Sequence, residues 1–382
     1  MKKVLVPKVR FKGFSNNWEQ DNIGEVFELT RGEVLSQRKI RNKKMGEYIY
    51  PVFSSQTLNN GLLGFYNNFL FKNSITWTTD GANAGTVLYR DGLFYATNVC
   101  GVMLQKTSIK PSSYFAHEIN VKVKRHVIKA GNPKLMINVL REVLINFSKN
   151  KLEQEKISIL IENIDNLITL KQTKLNKLKQ LKQTLLQKYY RKVIQKYLEL
   201  DLKGFMKSEK KKNWMIFLKL LLVVNHLKTI KTQKHPVGKY KYPIYSNGQE
   251  ANAIWGFSDN YSINTEAITI SSIGTIGFPV VRKMFFTPII RLKTLLPYNK
   301  NMNINFLNLS VSQINFSFNQ ADMPSMNSNQ LKDNIILISR NFSEQQKIGD
   351  FFSNIDTLIN LYNSKLNKLK QIKEALLQKM FV

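Results

Sequence analysis

The sequence predicts an α+β protein in which two mixed α/β globules alternate with two long helices that pack on each other. The main observation is an internal repeat: residues 153–190 and 344–381 align at an offset of 191 and are identical at 22 of 38 positions. A repeat of this length indicates one architectural unit used twice. Helical spacing of apolar residues within both copies, and strand-like segments with turns between them, complete the prediction.

The globular segments repeat more faintly than the helices. Residues 50–54 match 242–246 at an offset of 192, and Gly64 and Phe65 match Gly256 and Phe257. The order is therefore globule, helix, globule, helix. Nearly identical helices and diverged globules are expected when the helices carry a common architecture and the globules carry different specificities. The predicted segments are 1–150, 151–200, 201–341 and 342–382.

The first globule alternates short apolar segments with turns. Turns are expected at Asp80-Gly81 and Asp91-Gly92. Segment 22–30 is predicted as a short helix or strand, and segment 135–147 fits either a helix or a final strand. The predicted strands are 48–53, 75–78, 86–89 and 98–104.

The second globule shows a similar outline and one unusual feature. The run 214–224 is the most apolar in the chain, but it has only 11 residues and contains Lys219. It is too short for a membrane span, so a buried helix or strand is expected. The predicted strands are 242–245, 268–271, 280–282 and 288–292.

Each repeat is predicted as a helix of about 35 residues, roughly 50 Å long. Apolar residues recur in both copies at the spacing of an a/d seam, broken once at Lys171 and at Tyr362. Ser343, followed by Glu344-Gln345-Gln346, is expected to cap the second helix. The many lysines of the helices indicate a solvated face or, alternatively, a surface for DNA. The predicted helix-pairing residues are Ile157, Ile161, Ile164, Ile168, Leu175, Leu178, Ile348, Phe352, Ile355, Ile359, Leu366 and Leu369.

Composition favours a polyanionic partner. The chain has 57 Lys and Arg against 26 Asp and Glu, a net charge of +31. Such an excess predicts binding to nucleic acid through its phosphates. A competing explanation is codon bias in an AT-rich genome, which enriches lysine and asparagine. One cysteine, Cys100, excludes a disulfide framework within the chain, and the opening residues lack a signal-peptide core, so we expect a cytoplasmic protein.

The motifs of common active sites are missing from the sequence. It contains no phosphate-binding Gly-x-x-x-x-Gly-Lys-Ser/Thr loop. The four histidines are scattered, and His117-Glu118 lacks the second histidine of a zinc-protease helix. We therefore expect neither a metal site nor catalysis in this chain.

Three segments resemble the specificity subunits of type I restriction–modification enzymes. The helical motif EQQKIGDFFSNIDTLINLYNSKLNKLKQIKEALLQKMF (344–381) is similar to their conserved helical region. The opening VPKVRFKGFSNNWEQDNIGEVFELTRG (6–32) and the block WTTDGANAGTVLYRDGLFYATNVCGVML (77–104) resemble their target-recognition domains. The resemblance spans essentially the whole chain and is most specific in the helical motif.

The resemblance implies a fold and a function. It implies two target-recognition domains that each read half of a bipartite double-stranded DNA site, and two helices that pack as an antiparallel coiled coil and set the gap between the half-sites. It implies a non-catalytic subunit that binds two methyltransferase (modification) subunits and the motor-nuclease (restriction) subunits. S-adenosylmethionine, ATP and Mg would be bound by those partners and no cofactor by this chain.

One segment departs from the family pattern. After Trp18 the first half continues EQDNIGEVFELTRG, whereas after Trp214 the second continues MIFLKLLLVVNHLKTIKTQKH. This altered start leaves open a degenerate specificity subunit with one functional recognition domain. The sequence is also compatible with a coiled-coil scaffold that has no sequence preference, or with a stand-alone nuclease that carries fused recognition domains.

Polar side chains in loops are the candidates for contact with DNA bases, because Arg pairs with guanine and Asn or Gln with adenine. Basic side chains of one run are the candidates for phosphate contacts. Trp77 and Trp255 are expected to pack in the core or against loops. The base-contact candidates are Arg31, Ser54, Ser55, Gln56, Asn59, Asn60, Thr78, Thr79, Asn83, Tyr245, Ser246, Asn247, Gln249, Ser271, Ser272 and Thr275, and the phosphate candidates are Arg38, Lys39, Arg41, Lys43 and Lys44.

Overall fold

The computed structural model forms two compact units. The first unit comprises Met1–Thr173 and Ser364–Val382, and the second comprises Lys174–Asn363. The structure describes residues 5–55, 58–202, 218–221, 235–247, 253–274, 276–289, 292–299, 301–319, 324–332, 334, 336, 338–339 and 341–381.

A six-stranded sheet forms the first unit, with strand order β2-β7-β5-β6-β3-β4, and a small sheet pairs β1 with β8. All neighbouring strands are antiparallel except β3 and β6, which are parallel. The strands are β1 (Glu19–Asn22), β2 (Phe27–Arg31), β3 (Tyr50–Phe53), β4 (Leu62–Tyr66), β5 (Phe71–Thr78), β6 (Val87–Ala96), β7 (Cys100–Gln105) and β8 (Leu144–Phe147), and the short helices are α1 (Ile23–Val26), α2 (Ser113–Val123) and α3 (Ile137–Arg141).

The core of the first unit lies between the sheet and these helices. Trp77, Tyr114 and Phe115 are fully buried in it, and Gly101 leaves room for the Trp77 ring, which a Cβ atom there would meet at 2.2 Å. Trp77 is thus confirmed as a core residue, whereas Trp255 is 48% exposed.

Two smaller sheets form the second unit, with orders β13-β12-β15-β9 and β11-β10-β14. The pairing of β10 with β14 is parallel, as is that of β3 with β6 in the first unit. The elements are α4 (Lys151–Leu202), which begins in the first unit, β9 (Leu218–Leu221), β10 (Tyr242–Tyr245), β11 (Ile254–Ser258), β12 (Ala267–Ser271), β13 (Pro279–Arg282), β14 (Thr287–Pro288), β15 (Leu292–Pro297), α5 (Ile304–Val311), α6 (Ser328–Lys332) and α7 (Phe342–Met380), which ends in the first unit.

Several local predictions need correction. Asp91-Gly92 does not end a strand but lies inside β6, where Gly92 has a φ of 74°. Segment 135–147 contains both a helix and a strand, α3 and β8. Segment 288–292 is not one strand, because β14 ends at Pro288 and β15 begins at Leu292. Of the apolar run 214–224, the described part is the strand β9.

The two long helices run antiparallel within each unit, as the resemblance implied. In the first unit, Ile157 shares a buried cluster with Met380, and further along α4 Asp165 accepts a hydrogen bond from Lys373 Nζ at 2.6 Å. In the second unit, Lys182 Nζ pairs with Asp356 at 2.6 Å. The two ion pairs are equivalent under the 191-residue repeat. Each therefore fixes the same register of α4 against α7.

The helices are longer than expected and begin differently. They have 52 and 39 residues. Ser343 is not the cap of α7: Asn341 Oδ1 accepts hydrogen bonds from the backbone N–H groups of Ser343 and Glu344, at 2.9 and 3.2 Å. Asn150 Oδ1 caps α4 in the same way. An Asn side chain at this position satisfies donors that the helix itself leaves unpaired.

Candidate nucleic-acid interface

A loop of eight residues follows the first strand of the hairpin in each unit. Hairpin loop 1 comprises residues 54–61 and hairpin loop 2 comprises residues 246–253. The backbone N–H of Ser54 donates to Gly61 O at 2.9 Å, and that of Ser246 donates to Ala253 O at 2.9 Å. The two loops therefore have the same length and the same closing hydrogen bond, although their sequences, SSQTLNNG and SNGQEANA, differ.

Hairpin loop 1 presents polar side chains from a constrained backbone. Asn59 and Asn60 are exposed and adopt left-handed conformations, with φ of 49° and 53°. Asn tolerates this region better than most residues. At the start of the loop, Thr97 Oγ1 donates to Ser54 Oγ at 3.1 Å. The loop is therefore held at both ends.

A buried arginine lies beneath hairpin loop 1. Arg90 donates from Nε to Thr76 Oγ1 at 3.0 Å and from Nη2 to Asn60 O at 2.7 Å. Its guanidinium carbon lies 3.7 Å from the centre of the Phe53 ring. Burial lowers the pKa of Arg90 to about 10, which still leaves the side chain charged at neutral pH. The guanidinium therefore joins the loop to two strands.

The contacts of Arg90 with a strand threonine and an aromatic ring recur in the second unit. Arg282 donates from Nε to Thr269 Oγ1 at 3.1 Å, and its guanidinium carbon lies 3.9 Å from the centre of the Tyr245 ring. Burial lowers the pKa of Arg282 as well. Phe53 and Tyr245, like Arg90 and Arg282, correspond at an offset of 192. The aromatic residue directly precedes each loop, so both loops begin on an arginine-supported ring.

An exposed basic segment packs beside the hairpin of the first unit. Arg41 and Phe65 exchange two backbone hydrogen bonds, at 2.9 and 2.8 Å. Lys44 Nζ lies 5.6 Å from the centre of the Phe65 ring. A Cβ atom at Gly64 would lie 2.6 Å from Arg41 O, so glycine permits this close approach. All of the predicted phosphate-contact residues are exposed: Arg38, Lys39, Arg41, Lys43 and Lys44.

The structure separates the predicted base-contact residues into three groups. Thr78, Thr79, Ser271 and Ser272 are buried, at 9% exposure or less, and their side chains do not face solvent. The Thr79 hydroxyl instead lies within hydrogen-bonding distance of two acceptors, the Asp80 carboxylate and the Val99 carbonyl oxygen. Gln56, Gln249 and Thr275 lie outside the described residues. The remaining candidates are partly or fully exposed: Arg31, Ser54, Ser55, Asn59, Asn60, Asn83, Tyr245, Ser246 and Asn247.

The predicted helix-pairing residues form a protected stripe on α4 and α7. Leu175 and Leu366 are only 2% and 3% exposed, and no member of the set is fully exposed. Three repeat-related apolar pairs outside the predicted pairing positions are exposed, with exposures between 41% and 52%. These pairs are Leu167 and Leu358, Leu170 and Leu361, and Leu181 and Ile372.

The sequence prediction missed the arginines beneath the loops. Arg90 was part of a family-like block, and Arg282 was the end of a predicted strand. Their recurrence at the offset that relates residues 50–54 to 242–246 was the available signal. The role of these residues became apparent only when the strands brought them to Phe53 and Tyr245.

Comparison with known proteins decides the family. The model of the type I restriction modification DNA specificity domain matches residues 15–180 and 211–371. A type I specificity subunit of Mycoplasma pneumoniae is 30% identical over 354 residues, which cover 92% of each chain. The chain belongs to the type I specificity subunit family. The resemblance inferred from the helical motif and the recognition segments is thereby confirmed, and the protein is a DNA sequence-specificity subunit.

Other relatives agree with this assignment. The N-terminal part of a second type I specificity subunit of M. pneumoniae is 39% identical over 142 residues, 37% of this specificity subunit and 74% of the relative. The crystal structure of the S subunit of a type I restriction-modification system from M. genitalium has the same fold, with a TM-score of 0.65 and 19% identity over 99% of each chain. Within the described residues, no helix is long and apolar enough to cross a membrane.

Proposed function

We propose that this specificity subunit recognises a bipartite DNA site, with each compact unit contacting one half. The observation that carries the proposal is the pair of hairpin loops, which have the same length, closing hydrogen bond and supporting arginine but different side chains. Two different half-sites require different polar groups on a common frame. Hairpin loops 1 and 2 meet that requirement.

The side chains suit the two parts of DNA recognition. Asn and Ser side chains of the loops can hydrogen-bond base edges in the major groove, where each base pair presents a distinct pattern. The basic segment from Arg38 to Lys44 suits phosphates, which position a protein without specifying sequence. Thr78, Thr79, Ser271 and Ser272 are excluded from the proposed contact set because they are buried.

The helices serve as spacer and docking surface in this proposal. Because α4 and α7 each contribute to both units, they can fix the gap between the half-sites. The exposed apolar pairs at matching positions of the two repeats suit a partner that binds twice. We assign these surfaces, which centre on Leu167 and Leu358, to two modification subunits.

The chemistry of the system belongs to the partners in this proposal. The chain itself is non-catalytic and holds no cofactor. The modification subunits bind S-adenosylmethionine and methylate adenine, and the motor-nuclease subunits bind ATP and Mg. The assembly acts on cytoplasmic DNA. The scattered histidines and the lack of a phosphate-binding loop support this division.

The test is co-expression of the chain with the modification subunit of its own system, followed by genome-wide mapping of N6-methyladenine. We expect a split motif, in which two short defined sequences flank a gap of fixed length. The modification subunit expressed alone is the control and should leave the genome unmethylated.

Other results would revise the proposal in defined ways. Methylation that follows only one half-motif would show that one unit has lost its specificity. A stable complex without methylation would favour a scaffold, and cleavage or methylation by the purified chain alone would show that it is itself an enzyme. Failure to form any complex would contradict the proposed assembly.

A further inference from the structure

The arginines beneath the two loops are built into the recognition units but cannot reach DNA themselves. Arg90 is 9% exposed and Arg282 is 3% exposed. Burying a guanidinium removes it from water, which is costly unless its donors are satisfied. Both units nevertheless retain one, against an aromatic ring and a strand threonine. Because these buried arginines do not contact bases, their presence in both units requires another explanation.

We propose that Arg90 and Arg282 are positioning residues for half-site specificity: Arg90 holds hairpin loop 1 through the Asn60 carbonyl and the Phe53 ring, and Arg282 holds the start of hairpin loop 2 through the Tyr245 ring. The inference rests on the proposed function, because it assumes that these loops contact bases. Each arginine acts on one half-site only, since its contacts lie within its own unit.

The contacts of Arg90 show how positioning works. The planar guanidinium donates in two directions, to Thr76 on β5 and to the backbone carbonyl of Asn60 in the loop. Phe53, at the end of β3, stacks against its face. Since β5 is inside the sheet, the loop carbonyl is tied to a rigid element. A lysine could not replace this fork, because its ammonium lacks a fixed planar geometry.

The backbone of hairpin loop 1 needs such support. Two consecutive non-glycine residues, Asn59 and Asn60, are left-handed, a conformation that costs L-residues free energy and persists only when the surroundings impose it. The hydrogen bond from Arg90 Nη2 to Asn60 O is one of the contacts that impose this conformation. Without it, we expect the loop to relax and the side chains of Asn59 and Asn60 to change direction.

The second unit supplies the independent observation. Arg282 contacts Thr269 and Tyr245 as Arg90 contacts Thr76 and Phe53. The loops above these arginines have diverged in sequence, whereas the arginine, the threonine and an aromatic ring are retained. A retained support under variable side chains is what a positioning role predicts.

The experiment uses the full chain in complex with the modification subunit and measures methylation of cognate duplexes and of duplexes altered in one half-site. Arg90→Met keeps the side-chain length but removes the hydrogen-bond donors. We expect discrimination at one half-site to fall by about tenfold, the size of one good base contact, with the other half-site unaffected. Arg282→Met, the matched variant, should relax the opposite half-site.

Two further variants separate positioning from charge and from folding. Arg90→Lys keeps the charge, so we expect unaltered affinity for unrelated DNA but reduced discrimination at the same half-site. If Arg90→Met fails to fold, Thr76→Val removes the Oγ1 acceptor from a position inside the sheet, and Thr76→Ser, which keeps the hydroxyl, should restore discrimination. Circular dichroism and a wild-type-like thermal unfolding transition establish that each variant is folded, and co-elution with the modification subunit shows that the complex assembles.

Two results would overturn the inference. One is a folded Arg90→Met complex with wild-type discrimination at both half-sites. The other is an equal loss at both half-sites in both arginine variants, which would indicate a merely structural role. In either case a wild-type complex that methylates a split motif leaves the proposed function intact. A wild-type complex without a split motif would instead contradict the proposed function.

Discussion

Glu153 shows how one buried carboxylate organises the N-terminal segment of the first unit. It is fully buried and accepts hydrogen bonds from Arg10 Nε at 2.6 Å, Arg10 Nη2 at 2.9 Å and Trp18 Nε1 at 3.3 Å. Burial alone would raise the pKa of Glu153, but the hydrogen bonds from Arg10, Ser148 and Trp18 and the positive charge of Arg10 together hold the pKa below its usual value. Arg10 and Trp18 are thereby tied to the first turn of α4.

We expect Glu153→Gln to lower the free energy of unfolding of the first unit by about 3 kcal/mol, because the nearly buried Arg10 loses its counter-charge. The repeat-related Glu344 is exposed, so Glu344→Gln should cost less than about 0.5 kcal/mol. Urea unfolding of both variants provides the measurement. Equal effects of the two substitutions would show that the buried pair is not what stabilises the segment.

Glu118 gives the stability of the first unit a pH dependence. Burial raises its pKa to about 7, although Lys122 and the Asn146 N–H act in the opposite direction. Between its unfolded pKa, near 4.3, and about 7, the folded state binds more protons than the unfolded state. Stability from this group is therefore greatest below about pH 4 and is lost progressively as the pH rises from there to about 7.

Glu118→Gln should remove this loss, because the amide stays neutral while its oxygen can still accept from the Asn146 N–H. We expect the variant to be more stable than wild type at pH 8 by up to about 3 kcal/mol, and by much less at pH 5. Thermal unfolding at the two pH values measures this difference. Glu25→Gln, at a carboxylate whose side chain is 66% exposed, should have little effect at either pH. A Glu118→Gln effect that does not change with pH would refute the explanation.

At the scale of elements, the helices carry repeat-related features on two surfaces. One surface is protected and holds the register through the ion pairs of Asp165 with Lys373 and of Lys182 with Asp356. The other presents the apolar pairs that we assign to modification subunits. Leu167→Asp should remove one modification subunit and Leu358→Asp the other, because a charge in such a contact costs about 2 kcal/mol or more.

Mass measurement of the assembled complex would check this assignment. We expect one modification subunit with either single variant and none with the double variant. The control is Thr169→Asp, an exposed polar position two residues after Leu167 and therefore on the other side of the helix from it, which should leave both subunits bound. Wild-type stoichiometry in the double variant would show that the leucines are not the docking surface.

Elements were predictable where a periodic pattern was strong. The two helices and strands such as β3 and β10 followed from periodicity and the internal repeat. The cap of α7 was assigned to Ser343 because Ser and Asn both suit that role, and only the hydrogen bonds identify Asn341. The recurrence of Arg90 and Arg282 was visible in the sequence, but the role of Arg90 was not predictable, because Phe53, Thr76 and Arg90 meet only through the pairing of β3, β5 and β6.

At the scale of the whole molecule, a net charge of +31 accompanies two recognition units on one chain. The charge supplies affinity that does not depend on sequence, and the loops supply discrimination. These contributions are separable, because the basic segment and hairpin loop 1 are distinct parts of the first unit. Substitutions in the basic segment should therefore change the affinity for any DNA and leave the discrimination between sequences unchanged.

Replacing Arg38 and Lys43 together by Ala tests that separation. Each lost phosphate contact should reduce the slope of log binding constant against log salt by about 0.9. We therefore expect a slope smaller by about two and an equal loss of affinity for cognate and unrelated duplexes, measured by fluorescence anisotropy of the complex over a salt series. The control pair Arg38→Lys and Lys43→Arg keeps both charges and should keep the slope. A different result would contradict the phosphate assignment: an unchanged salt slope together with weaker discrimination between half-sites. Phosphate contacts carry no sequence information, so that result would show that Arg38 and Lys43 contact bases.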